Sequence, residues 1–168
     1  MYMGRHRIGI IIIAVILTVF AVACAAQPPG YSDSLTVTLS VRVDSLLDNM
    51  DFLNPEMHEL VPADGVIFPT AEVKAFEGES VFDVLQREMR NAGIHMAFRG
   101  TPLYDSAYIT AINNIYEFDA GPLSGWLYTV NGEWLGIGAS RHILQNGDAV
   151  EWIYTLDLGR DVGAGLAD

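Results

Sequence analysis

The side chains best suited to bond-making chemistry in this sequence crowd into one stretch near its end. Ser140 and His142 are two residues apart, so on an extended chain they face the same side, as a hydroxyl nucleophile and its base would. Glu133, Asp148 and Glu151 lie close by in sequence as carboxylates that could complete such a set. The pattern still falls short of acyl-transfer chemistry. No GxSxG elbow presents Ser140, no third partner is spaced to orient His142, and Glu133 and Asp148 sit at turns, where solvated acids are expected. His58 and His95 are isolated and lack HExxH spacing, which disfavours a zinc enzyme. Asp44, Asp48 and Asp51, and Asp157 with Asp161 around Gly159, do not follow the alternating ligand order of an EF-hand loop. Solvated surface is the expectation there, with a weak calcium site as the alternative. Neither catalytic residues nor a metal centre are expected, and the chain reads as a non-enzyme.

What remains for chemistry is a stacking surface. Residues 125–155, GWLYTVNGEWLGIGASRHILQNGDAVEWIYT, hold all three tryptophans. Trp126, Tyr128 and Val130 share one face of a strand, and Val150, Trp152 and Tyr154 share one face of another. Aromatic pairs across neighbouring strands contribute roughly 0.2–1 kcal/mol each, so a core ladder is the expectation. A tryptophan left exposed beside glycines would instead be a platform for a flat ligand or sugar. Trp134, Leu135, Gly136, Ile137 and Gly138 look only superficially like a phosphate cradle, because Arg141 stands where the third glycine of GxGxxG belongs. Glycines at 136 and 138 are read as a bend or a close backbone approach.

The elements that must position this stretch begin after an export leader. Arg5, His6 and Arg7 precede an apolar run over 8–23, which closes on Cys24, the single cysteine. Ala21, Val22 and Ala23 before Cys24 resemble a bacterial lipobox, so Cys24 is expected to be lipidated as the first mature residue. An uncleaved apolar anchor is the alternative, although the run is short of the roughly 20 residues that a spanning helix prefers. Both place the remainder on the extracellular face of the cytoplasmic membrane. One cysteine used this way leaves none for a disulfide, a zinc cluster or a thiol nucleophile. The net charge of −12 disfavours nucleic acid and anionic head groups.

Residues 25–34 read as a flexible tether rich in Pro, Gly and Ser. A first strand follows, with Val37, Leu39, Val41 and Val43 on one face. Asn54 and Pro55 announce a short helix to about Leu60, and Asp64-Gly65 a turn. Residues 66–69 and 72–76 look like two short extended segments. Ser80 and Asp83 form a shortened capping box for the main helix, 81–92, with Val81, Phe82, Val84, Leu85 and Met89 as its apolar face and Gly93 as its end. Strands are expected around Ile94, Met96 and Phe98 and again around Tyr108, Thr110 and Ile112, with a loop over 100–105. Residues 156–168 lose periodicity and read as a frayed tail. The result is an α+β domain: a small grasp-like mixed or antiparallel sheet with one main helix, preceded by an apolar signal or anchor helix.

The ordered set FEGESVFDVLQ, YITAINNI, GWLYTVNGE, a GxG segment, NGDAVEWIYT and DLGRDVG resembles the transcobalamin-like C-terminal, or DUF4430, domains of bacterial surface proteins, common in Gram-positive bacteria. The resemblance covers 35–163, leaving 164–168 as the tail. It is more distantly similar to the small C-terminal domain of the vitamin B12 carriers transcobalamin and intrinsic factor. The resemblance implies a binding edge near Trp126, Trp134, Leu135, Gly136, Gly138 and Ser140, and a corrinoid such as cobalamin as the ligand rather than a resident cofactor. In those carriers a separate helical barrel covers the other side of the corrinoid. This sequence has no room for one, so a second surface protein would have to supply it. The alternative is a protein-docking or wall-binding module with no small-molecule site.

Overall fold

The structure, a computed structural model, describes residues 34–101 and 106–165. The expected leader, Cys24 and nearly all of the tether lie outside the described residues. Strand β1 (Ser34–Arg42) follows its alternation: Val37, Leu39 and Val41 are buried, and Thr36 opposite them is exposed. It is flanked by β2 (Val66–Phe76), antiparallel, and by β8 (Ala149–Thr155), parallel. Beyond β8 come β6 (Gly125–Val130), antiparallel to it, and the two-residue β7 (Glu133–Trp134). The order in this mixed sheet is β2-β1-β8-β6-β7. A second, antiparallel sheet holds β3 (Met96–Thr101), β4 (Ser106–Ile112) and β5 (Ile115–Tyr116) in that order.

The main helix, α1 (Val81–Ala92), starts on the expected capping box. Ser80 Oγ accepts the Asp83 N–H at 3.2 Å, and Asp83 Oδ2 accepts the Ser80 N–H at 2.9 Å. Val81, Val84, Leu85 and Met89 are buried, in one core cluster with Leu39, Val41, Ile112, Ile115 and Tyr154. The domain is therefore α+β, with its strands divided between two sheets and one main helix among the described residues. Asn54 caps a 3-10 helix, Pro55–Leu60, by accepting the Glu56 N–H at 3.1 Å.

Three local expectations change. Residues 66–76 form one strand rather than two segments, because β2 is a sheet edge and its register with β1 shifts between Leu39 and Val41, which is where Pro69 falls. Proline lacks an N–H for the ladder, and an edge bulge is where a strand tolerates it. In β4 the buried residues are Ile109, Ala111 and Ile112 rather than the alternating set from Tyr108, since a register shift opposite Ala97 and Phe98 inserts Thr110 and turns the following residues inward. The stretch from 156 to 165 is not frayed. Asp161 accepts the Leu156 N–H at 2.7 Å and the Thr155 hydroxyl, a 3-10 turn spans Arg160–Val162, and Ala164 is buried.

Candidate functional site

Strands β6 and β8 face each other in the register Trp126 with Tyr154, Tyr128 with Trp152 and Val130 with Val150. The first ring pair meets edge to face at 5.2 Å between centroids and the second at 5.1 Å, so the expected aromatic ladder exists. Trp126, Trp152 and Tyr154 are only 5%, 2% and 0% exposed, which makes them core. Two of them tie the sheets together: Trp126 Nε1 donates to the Ile115 carbonyl at 2.9 Å, and the Tyr154 hydroxyl donates to the Tyr116 carbonyl at 2.7 Å. The buried Trp152 Nε1–H has no acceptor among the described residues.

Where β4 and β6 part company, a cleft of about 490 Å³ opens, within the range of small-molecule sites. Residues 106–109 form one wall and 126–128 the other; 134–139, Arg141, Trp152 and Ala164 complete the lining. The Asn131-Gly132 turn, with φ of 55° and 79°, closes the β6-β7 hairpin as its type requires. Gly136, at φ 61°, then takes the chain off the strand path after only two residues of β7.

The connection that follows is pinned on three sides. Toward β4, Ser140 Oγ accepts the Ala107 N–H at 2.9 Å and lies 3.2 Å from Ser106 Oγ. The first turn of α1 donates from Val81 to the His142 carbonyl at 3.0 Å and from Phe82 to the Ala139 carbonyl at 3.2 Å. Toward β6, the Tyr128 hydroxyl donates to the Ile137 carbonyl at 2.9 Å. Gly138 passes so close to β4 that only a residue without a β-carbon fits there. The two glycines thus serve as a bend and a close approach, one each.

The structure brings Trp126, Trp134, Leu135, Gly136 and Gly138 together on this cleft. Ser140 is not part of the lining; it anchors the connection from behind. His142 turns elsewhere, with Nε2 3.9 Å from Asp148 Oδ2. Asp148 is itself occupied by the Gln145 N–H at 2.8 Å and the Asn131 amide at 2.9 Å, and Glu151 pairs with Arg42 at 2.8 Å. His58 Nε2 lies 3.0 Å from the Met50 carbonyl, while His95 sits beside the Tyr116 ring. Asp44 pairs with Arg42 and Asp157 with Arg160.

Burial pushes the Tyr128 phenol up to about 12. Burial, reinforced by the Glu117 carboxylate and opposed by Arg99, pushes Tyr108 to about 12 as well. Both are neutral at ordinary pH. The Arg99 guanidinium stacks 4.7 Å from the Tyr108 ring centroid while bonding Glu117 at 2.9 Å.

Sequence reasoning missed the β4 wall, Arg141 and Ala164. Their contribution arises from the meeting of two sheets, which no local period encodes. The one usable signal was Tyr108, an aromatic residue on the face of β4 opposite the buried Ile109.

Residues 78–155 match the family model described as Domain of unknown function (DUF4430). The matched range begins after β1 and β2, although both strands belong to the same sheet as β8. Among solved structures, haptocorrin in complex with Cbi is similar in fold, with 17% identity and a TM-score of 0.54. That likeness covers 79% of this chain but 28% of the haptocorrin chain, so this chain spans well under a third of it. A looser match, with a TM-score of 0.46 and 16% identity, is to a provisionally described metal binding protein from Ruminococcus gnavus, covering 72% of this chain and 96% of that one. No curated protein matches the sequence. The haptocorrin likeness is one of fold, and it agrees with the transcobalamin-like fold expected from the sequence.

Proposed function

We propose that this protein is a non-catalytic, lipid-anchored surface domain that binds a small ligand in the cleft between β4 and β6, and that the ligand is a corrinoid held jointly with a partner protein. The observation that carries this reading is the cleft itself. It sits against Trp126, Trp134, Leu135, Gly136 and Gly138, the edge that the family resemblance implied for binding. The fold likeness to haptocorrin, whose structure contains Cbi, supports the choice of a corrinoid. A macrocycle with its amide arms exceeds about 490 Å³, so this cleft would hold only one part of it and leave the remainder to a second protein. Cys24 would tether the domain to the outer face of the cytoplasmic membrane.

The absence of a catalytic step is supported by the engagement of Ser140 with β4 and of His142 toward Asp148, which leaves no hydroxyl-imidazole pair between them among the described residues. A docking module without a small-molecule site would have had its tryptophans buried and no cleft beside 136–140; the cleft favours the ligand-binding reading.

The test is titration of the protein with cobalamin and cobinamide, alone and with surface proteins encoded beside it, followed by tryptophan fluorescence and calorimetry. Saturable quenching with matching heat is expected. No binding in any combination overturns the corrinoid assignment.

A further inference from the structure

The charge around the cleft runs against the charge of the protein. The chain has 21 acidic residues and nine Lys and Arg, yet no acidic residue occurs among the described residues that line the cleft. Among the described residues its one charged lining side chain is Arg141. Arg42, Arg87, Arg99 and Arg160 each hold a carboxylate. Arg90 lies in the last turn of α1, where the helix dipole favours a cation, and Lys74 is exposed on the edge strand β2. Arg141 has neither a carboxylate partner among the described residues nor a helix terminus, and it is exposed at the cleft.

Its main chain is nevertheless fixed. The Arg141 N–H donates to the Gly138 carbonyl at 2.9 Å, and the flanking carbonyls of Ala139 and His142 accept from α1. The guanidinium is therefore delivered to the cleft from a rigid turn, which lowers the cost of ordering it around a ligand. A second donor also lacks a partner. Trp152 lines the same cleft, is 2% exposed, and its Nε1–H has no acceptor among the described residues. The Tyr128 hydroxyl, another polar lining group, is spent on the Ile137 carbonyl. The Trp152 donor is buried and unpaired, which is costly, and the exposed Arg141 guanidinium has no carboxylate to hold it among the described residues; an acceptor that arrives with the ligand suits Arg141.

We infer that the cleft selects an organic anion: a ligand with a flat apolar body resting on Tyr128 and Trp134 and a carboxylate, sulfonate or phosphate oxygen paired with Arg141. A planar guanidinium suits such groups because its donors match their oxygens two at a time. This rests on the cleft being a ligand site and adds which chemical class it takes; among corrinoids it favours one with an anionic group, such as the phosphodiester of cobalamin, over cobinamide, which has none.

A matched pair of probes separates the two ideas. Anilinonaphthalene sulfonate and its uncharged parent, N-phenylnaphthylamine, share one apolar body and differ in the anionic group. Both are titrated into the full chain and followed by tryptophan quenching, with the Arg141→Gln and Arg141→Lys variants alongside. Arg141→Gln is expected to weaken the sulfonate by roughly twofold to fivefold at low salt, as a partly exposed ion pair would, and to leave the parent unchanged. Arg141→Lys should retain most of the sulfonate affinity, and high salt should reduce the effect. Unfolding midpoints for both variants are expected to match the parent chain, since the side chain is exposed. If Arg141→Gln weakens both probes equally, or neither, the anion assignment is wrong while the cleft stands as a ligand site. Should neither probe bind the unmutated chain, both the assignment and the ligand-site reading fall.

Discussion

Gly138 lies against Ser106 so tightly that a β-carbon added to it would stand 1.7 Å from the Ser106 hydroxyl oxygen and 2.4 Å from its β-carbon. This contact sets how near the connection after β7 can come to β4, and hence the depth of the cleft. Gly138→Ala should therefore force the two segments apart, at about 1–3 kcal/mol of stability by analogy with overpacked cores. Gly100 in β3 is the control, because nothing lies within 4 Å of its added β-carbon. Gly100→Ala should be neutral or slightly stabilising. Chemical denaturation of both variants checks the contrast.

Ser140 staples the connection after β7 to β4. Ser140→Ala removes the acceptor of the Ala107 N–H and should cost roughly 1 kcal/mol, rising if that N–H is left dry. Faster hydrogen exchange at Ala107 is the expected signature. His142→Ala should not reproduce it.

Trp134 is a half-buried lining residue, in contrast to the buried Trp126 and Trp152. Trp134→Ala is expected to weaken binding of an aromatic or macrocyclic ligand by about 0.5–1.5 kcal/mol, the scale of one stacked contact, with a small change in unfolding midpoint. Trp152→Ala should instead cost several kcal/mol of stability, roughly 3–5 for a buried aromatic. Calorimetric titration and thermal unfolding, run in parallel, distinguish the two roles.

Alkali should loosen the domain in a defined window. Burial raises Tyr108 and Tyr128 from 10.0 to about 12, and raises Tyr154 as well. A phenol that holds its proton more tightly when folded stabilises fully below its unfolded value and loses that contribution as pH rises. Stability is accordingly expected to fall between about pH 10 and about pH 12. Tyr128→Phe should flatten the slope. Denaturant midpoints across that range, with absorbance of the phenolates, provide the measurement.

Acid acts through Asp161. Burial opposes its ionisation, but the Thr155 hydroxyl and the N–H groups of Leu156 and Asp157 outweigh it and hold the carboxyl below its usual 3.8. A depressed folded value gives stability that is present above the unfolded value and lost as pH falls through the folded one. The turn from 156 to 165 should therefore open as pH drops below about 3.8. Asp161→Asn should cost about 1.5–3 kcal/mol at neutral pH, the scale of charged hydrogen bonds, and lose that acid-dependent step. Amide exchange at Leu156 reports both.

The sequence by itself determined whatever depends on near neighbours. Ser80 and Asp83 are three residues apart, so their capping box follows from helical geometry, and Asn131-Gly132 selects its turn because both residues tolerate positive φ. Alternation in β1 and the paired aromatics of β6 and β8 announced the core as well. Asp161 was illegible for a different reason: a few hydrogen bonds, not a hydrophobic period, order the segment around it. The cleft was decided only in three dimensions. It needs Ser106 to meet Gly138 and Ser140, and Arg141 and Trp152 to share a space with β4, residues drawn from different sheets and connections. Contacts between distant segments depend on how the sheets pack, and that packing is a property of the whole core rather than of any window of residues.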